Sequence, residues 1–265
     1  MSADHYTGAG GCPSCSRPYP GSRASSGSAL YAYPHGPARM TRELRENPKV
    51  LPYLDIPIQH IADPMLRAMK RGTRSDQVRR ILDRLRDEVP GIAVRSTLIV
   101  GFPGETEEDF GALLDLVRDY RFERLGVFPY SREEGTPAFE LGDAVPEEVV
   151  AARVDEVMGL TRRIIEERNA ALVGAELEVL VDGVLDAAEA GLEGAWSAAR
   201  TWADAPDIDC GVHLAGSHAS GSFVRARIDA VSGYDLRATA LEAVARPTPA
   251  GILPADLRAP YLSVQ

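Results

Sequence analysis

Between Tyr53 and Tyr130 short β-branched runs alternate with single amphipathic helices, and this order leaves few folds open. Ile92-Ala-Val-Arg-Ser-Thr-Leu-Ile-Val100 reads as a buried strand, Arg124-Leu-Gly-Val-Phe-Pro-Tyr130 as a second, and Tyr53-Leu-Asp-Ile-Pro-Ile58 as the end of another. Between the first and second of these in chain order, Val78, Ile81, Leu82, Leu85 and Val89 recur at helical spacing; between the next two, Phe110, Leu113, Leu114 and Val117 do so. Strands joined by single helices pair in parallel through right-handed crossovers. The expected fold class is therefore α/β.

The punctuation agrees with this reading. Asp63 is the expected N-cap of a helix with Pro64 in its first turn, closed by Gly72; Ser75 is the expected cap of the next. Thr106 and Asp109 resemble a capping box. A long helix is predicted from about Pro146 to Leu172, followed near Gly174 by a change of texture. Glu176–Val181, Ser222–Ile228 and Tyr234–Thr239 alternate apolar and polar residues between glycines, as in a small antiparallel β-barrel. The expected units are a leader over residues 1–30, too poor in aliphatic side chains to fold, an α/β unit over 31–173, a β-barrel over 174–246 and a tail over 247–265.

Composition narrows the chemistry. A formal charge of −10 and a pI near 5.1 argue against a general electrostatic grip on nucleic acid. The region from Ala171 to Arg246 holds twelve acidic residues against five basic ones, so it should repel RNA and suit a basic protein. No apolar run reaches the ~20 residues of a membrane helix. The three cysteines, Cys12, Cys15 and Cys210, are too few for a disulfide scaffold, and a cytoplasmic setting is expected.

Three stretches then carry a resemblance: Tyr53-Leu-Asp-Ile-Pro-Ile-Gln-His60 with Met65-Leu-Arg-Ala-Met-Lys-Arg-Gly72, Ile99-Val-Gly-Phe-Pro-Gly-Glu-Thr106, and Gly126-Val-Phe-Pro-Tyr-Ser131 with Glu134-Gly-Thr-Pro137. Together they resemble the radical-SAM methylthiotransferases, over about Leu30 to Ala245. Tyr53–Pro57 and Arg124–Ser131 look like the branch that acts on an aspartate of a small-subunit ribosomal protein, with the tRNA-modifying branch as the close alternative.

The resemblance implies a partial TIM-like barrel followed by a TRAM-type β-barrel, and a reaction that uses S-adenosylmethionine and [4Fe–4S] clusters. It implies cofactor contacts from Gln59, Ile99, Gly101, Gly104, Glu105 and Tyr130, with Gly101 and Gly104 letting backbone approach the ligand. It also implies a basic small-subunit ribosomal protein as partner of the acidic barrel.

Two clusters need six thiolates, and the chain has three cysteines. Cys12-Pro-Ser-Cys15 could supply two ligands of one cluster, but Gly8 stands where a third would lie. The chain is therefore expected to be truncated or rearranged and inactive alone, and a non-catalytic protein-binding module is the second reading. His60 is expected to be structural, Asp55 to pair with Arg95, and Cys210 to fill the β-barrel core.

Overall fold

The computed structural model describes residues 27–29, 37–47, 50–142, 144–188, 190–205 and 209–244. Cys12 and Cys15 lie outside the described residues.

The first unit is a four-stranded parallel sheet in the order β1-β2-β3-β4, with β1 at Gly27–Ala29, β2 at Val50–Asp55, β3 at Ala93–Val100 and β4 at Arg124–Pro129. Helix α1 (Pro37–Glu46) precedes β2, α2 (Asp63–Ala68) and α3 (Ser75–Glu88) join β2 to β3, and α4 (Glu107–Tyr120) joins β3 to β4. The parallel pairing agrees with the sequence reading. β1 falls within the expected leader: its three small residues hold the sheet through backbone pairing with β2.

One face of the sheet is sealed by helices. Val78, Ile81, Leu82 and Leu85 of α3 and Phe110, Leu113, Leu116 and Val117 of α4 pack with Leu54, Val94, Leu98 and Val100 in one cluster. Leu85, Leu98, Leu113 and Leu116 are completely buried, each contributing roughly 1.5–3 kcal/mol of transfer free energy. Along β3 burial alternates: Ser96, Leu98 and Val100 are sealed, whereas Arg95, Thr97 and Ile99 are only partly covered. The second face is therefore the less covered one.

Two expected caps differ. Asp63 is the first residue of α2; its carboxylate accepts from Ser75 N at 2.7 Å, so it braces the start of α3. Ser75 accordingly does not cap α3. Gln77 Oε1 instead accepts from Arg74 N at 2.8 Å, with Arg74 in the N-cap position. The Thr106–Asp109 box forms as expected, Asp109 N donating to Thr106 Oγ1 at 3.2 Å and Thr106 N to Asp109 Oδ2 at 3.1 Å.

Helix α5 (Glu147–Leu172) leads into a closed barrel of β5 (Glu176–Val184), β6 (Trp196–Arg200), β7 (Val212–Ala215), β8 (Phe223–Ser232) and β9 (Asp235–Val244), ordered β5-β6-β7-β9-β8. β6 and β7 are too short and alanine-rich to stand out in the sequence. The barrel is not wholly antiparallel: β7 and β9 run parallel. With five strands, strict alternation of direction cannot close, so one parallel pair is required. Leu177, Val179, Val181, Leu214, Val224 and Ile228 fill its interior.

Candidate functional site

The carboxyl ends of β2, β3 and β4 carry the residues singled out from the sequence. After β3 the chain turns through Gly101–Thr106. Gly101 adopts φ +77°, and a β-carbon there would lie 2.4 Å from a methyl of Val150 on α5. Its bareness serves close packing of the long helix. Gly104, at φ +82°, has open space around it and remains exposed.

The Glu105 side chain is completely buried. It accepts from Gly101 N, lies 3.2 Å from Arg153 Nη1 of α5 and 3.3 Å from His60 Nε2. His60 Nδ1 accepts from Ile61 N at 2.9 Å and Ala62 N at 3.0 Å, which leaves the proton on Nε2 to donate to Glu105. Arg153 also donates to the Glu105 carbonyl at 3.3 Å. A buried carboxylate is costly unless paired and hydrogen-bonded. Here that requirement ties three segments into one rigid turn. His60 is structural, as expected; Arg153, nearly fifty residues downstream of Glu105, was missed, and no local signal marks it.

Gln59 sits just past β2 with φ +71°, a left-handed conformation unusual for a residue with a side chain. Its backbone is clamped to β3: Gln59 N donates to Thr97 O and Ile99 N to Gln59 O, both at 2.8 Å. Such strain persists only where surroundings impose it, and it clusters at ligand sites. Ile99 pairs with Phe128 across β3 and β4, and Phe128 is 53% exposed. Tyr130 follows, its ring edge-on to Phe102 at 4.9 Å and its hydroxyl buried with no hydrogen-bond partner. The structure thus gathers Gln59, Ile99, Gly101, Glu105 and Tyr130 at one end of the sheet. Ser131 is exposed and donates to Glu133 Oε1 at 2.6 Å.

At the opposite end the less covered face is charged. Arg95 pairs with Asp55 at 2.7 Å, as expected, and also with Asp209 at 3.1 Å. Tyr53 donates to Asp209 Oδ2 at 3.1 Å, and Arg124 pairs with Asp204. Asp204 and Asp209 come from the segment between β6 and β7, so the small barrel closes this end of the sheet. Burial raises the Asp55 carboxyl despite Arg95, and its Oδ1 has no partner. Cys210 lies beside Arg124 at this junction and is half-buried, which corrects its assignment to the barrel core. Burial pushes its thiol up to about 11.

The junction alters the charge argument. Two of the acids counted in the barrel region face inward to Arg95 and Arg124. The acidic excess on the barrel surface is smaller than the sequence count implies.

Residues 25–117 match the radical SAM superfamily and residues 173–241 match the TRAM domain. The ribosomal protein uS12 methylthiotransferase RimO of Geobacter sulfurreducens is 47% identical over 209 residues, 78% of this chain and 46% of that protein. The protein of the same name from Acetivibrio thermocellus is 43% identical over 210 residues, 78% of this chain and 45% of its own length. That from Myxococcus xanthus is 44% identical over 221 residues, 83% of this chain and 45% of its own length. The chain spans a little under half the length of these curated relatives. Its resemblance is to the ribosomal-protein branch of the radical-SAM methylthiotransferases, in their C-terminal portion.

Proposed function

We propose that this chain, a radical SAM and TRAM protein akin to the uS12 methylthiotransferases, serves the addition of a methylthio group to an aspartate of a small-subunit ribosomal protein. The observation that carries the reading is the rigid turn at the carboxyl end of β3. Glu105, His60 and Arg153 fix it beside the strained Gln59 and the unpartnered Tyr130 hydroxyl.

These residues fit S-adenosylmethionine. Ile99 and Phe128 offer apolar surface to an adenine, while the Gln59 amide and the Tyr130 hydroxyl offer polar groups to ribose or carboxylate. When bound, the cofactor supplies the methyl group and the reductively generated radical. The described residues do not fit a [4Fe–4S] cluster: their one cysteine, Cys210, lies at the far end of the sheet, and no set of three metal-ligating side chains occurs among them. No step through a cluster is assigned to them. The whole chain carries three cysteines, so turnover is expected only when cluster thiolates come from elsewhere.

For the partner, the acidic excess of the barrel favours a basic ribosomal protein over tRNA. No described helix is long and apolar enough to cross a membrane. A non-catalytic docking module is the second reading, favoured by the shortage of cysteines.

Equilibrium dialysis of labelled S-adenosylmethionine, before and after anaerobic reconstitution with iron and sulfide, tests the proposal. Binding that weakens in Gln59→Ala and Tyr130→Phe is expected. Equal binding by both variants, or none at all, would remove the site. Capture of the basic ribosomal protein at low salt without cofactor binding would favour the docking module.

A further inference from the structure

The described cations are mostly paired. Along α3 alone, Arg79, Arg80, Arg84 and Arg86 each meet a carboxylate. Arg42 and Arg163 are likewise exposed with no carboxylate within ion-pair distance, but the end of α2 and the turn into α3 gather three such cations within eight residues. Arg67, Lys70 and Arg74 are exposed there, and no carboxylate lies within ion-pair distance of any of them. The Asp63 carboxylate accepts from the Ser75 backbone, which with the charges of Arg67 and Arg74 at longer range holds it below the usual carboxylate range.

Two of these cations occupy positions that local stability would give to other residues. Lys70 adopts φ +53°, where a helix ending favours glycine or asparagine. Arg74 stands at the N-cap of α3, where Ser, Thr, Asp and Asn are preferred and where the helix dipole repels a positive charge. Sequences break such rules chiefly at functional positions. The turn is also held firmly: Arg71 N donates to Leu66 O at 2.8 Å, and Arg71 Nη2 donates to Pro57 O at 2.5 Å.

Its location bears on function. β2 leads into α2, and α3 runs back toward the amino end of the sheet, so the turn stands at the rim that also carries Gln59 and Tyr130. Ligands of parallel α/β sheets approach at that end. Residues 63–80 contain no aromatic side chain; of the large apolar ones, Met65, Leu66 and Val78 are buried and Met69 is half-buried. A protein partner would need an apolar or aromatic centre to pack against; a phosphate backbone needs only fixed cations.

We infer that Arg67, Lys70 and Arg74 form a docking rim for an RNA phosphate backbone beside the site. The inference rests on the proposed function in one respect: a ribosomal-protein substrate is presented next to RNA. Contact is through phosphates and independent of base sequence. The acidic small barrel, turned away from RNA, would help set the orientation.

The test uses the full chain and a fluorescein-labelled RNA hairpin of about 20 nucleotides, followed by anisotropy from 50 to 200 mM KCl. Wild type is expected to bind with a marked salt dependence. In Lys70→Gly/Arg74→Ser affinity should fall roughly tenfold at low salt, and the slope of log K against log salt should shrink by about two. Because both replacements suit their backbone positions, the melting temperature should hold or rise, which separates lost contact from lost fold. An unchanged slope in the double variant, or no binding by wild type at 50 mM, overturns the rim. Displacement of RNA by polyglutamate at equal charge concentration overturns it in favour of an acidic protein partner. Binding needs neither cluster nor S-adenosylmethionine, so failure of the methylthiotransfer reading would leave this result standing.

Discussion

Arg124, the first residue of β4, is paired with Asp204 of the small barrel, eighty residues away, with Nε–Oδ1 3.0 Å and side chains 15% and 3% exposed. Burial would weaken the charge on Arg124, but Asp204 outweighs that and holds the guanidinium protonated well above its usual range. Arg95 and Asp209 make the parallel contact one strand over, above an apolar patch of Tyr53, Ala93, Trp202 and Ala205.

Asp204→Ala should therefore cost about 3–5 kcal/mol, because it strands a buried cation. Arg124→Met/Asp204→Leu should recover much of the loss. Urea unfolding followed by tryptophan fluorescence, which samples Trp202 at the junction, measures both. Additive losses in the double variant would show that the pair is not coupled across the junction.

Glu123 gives a second handle. Burial alone would raise its carboxyl, but Arg86 at 2.9 Å and Arg168 at 2.6 Å outweigh it, and Val94 N donates at 2.7 Å. The folded value lies below the ordinary one, so the unfolded chain binds this proton more tightly. The stabilisation is present above the unfolded carboxylate value of about 4.3 and is lost as pH falls through the depressed folded value. Asp55, raised by burial, works in the opposite sense. Glu123→Gln should cost about 2–4 kcal/mol near neutrality and flatten the acid limb of stability against pH. An acid limb as steep as wild type would exclude Glu123 as its source.

Gly101→Ala combines a left-handed backbone with a contact 2.4 Å from Val150. A loss of about 2–4 kcal/mol is expected from strain and overpacking together. Adding Val150→Ala should relieve the packing share and leave the backbone share, giving partial recovery in thermal unfolding. Full recovery would mean that φ at this position carries no penalty.

The sequence revealed what repeats locally. The helical spacing of Val78, Ile81, Leu82 and Leu85 and the alternation along β3 both report a face buried against one neighbour, and both elements are where they were expected. The Thr106–Asp109 box was legible because its partners are three residues apart. Gln59, Ile99 and Tyr130, the proposed cofactor contacts, could be named by resemblance, yet the fixing of their turn could not. Glu105 meets Arg153 and His60 only through the fold, and Gly101 is bare for the sake of Val150. The junction was invisible for the same reason: Arg95 and Asp209 are 114 positions apart, and their charges read as surface until the chain is folded.

That separation has a consequence in time. At a synthesis rate of roughly 5–20 residues per second, Asp209 emerges on the order of 6–23 seconds after Arg95. Throughout that interval Asp55 alone stands beside Arg95, and Arg124, once made, waits likewise for Asp204. The nascent α/β unit is thus left ajar at its amino end until the last third of the chain arrives to shut it.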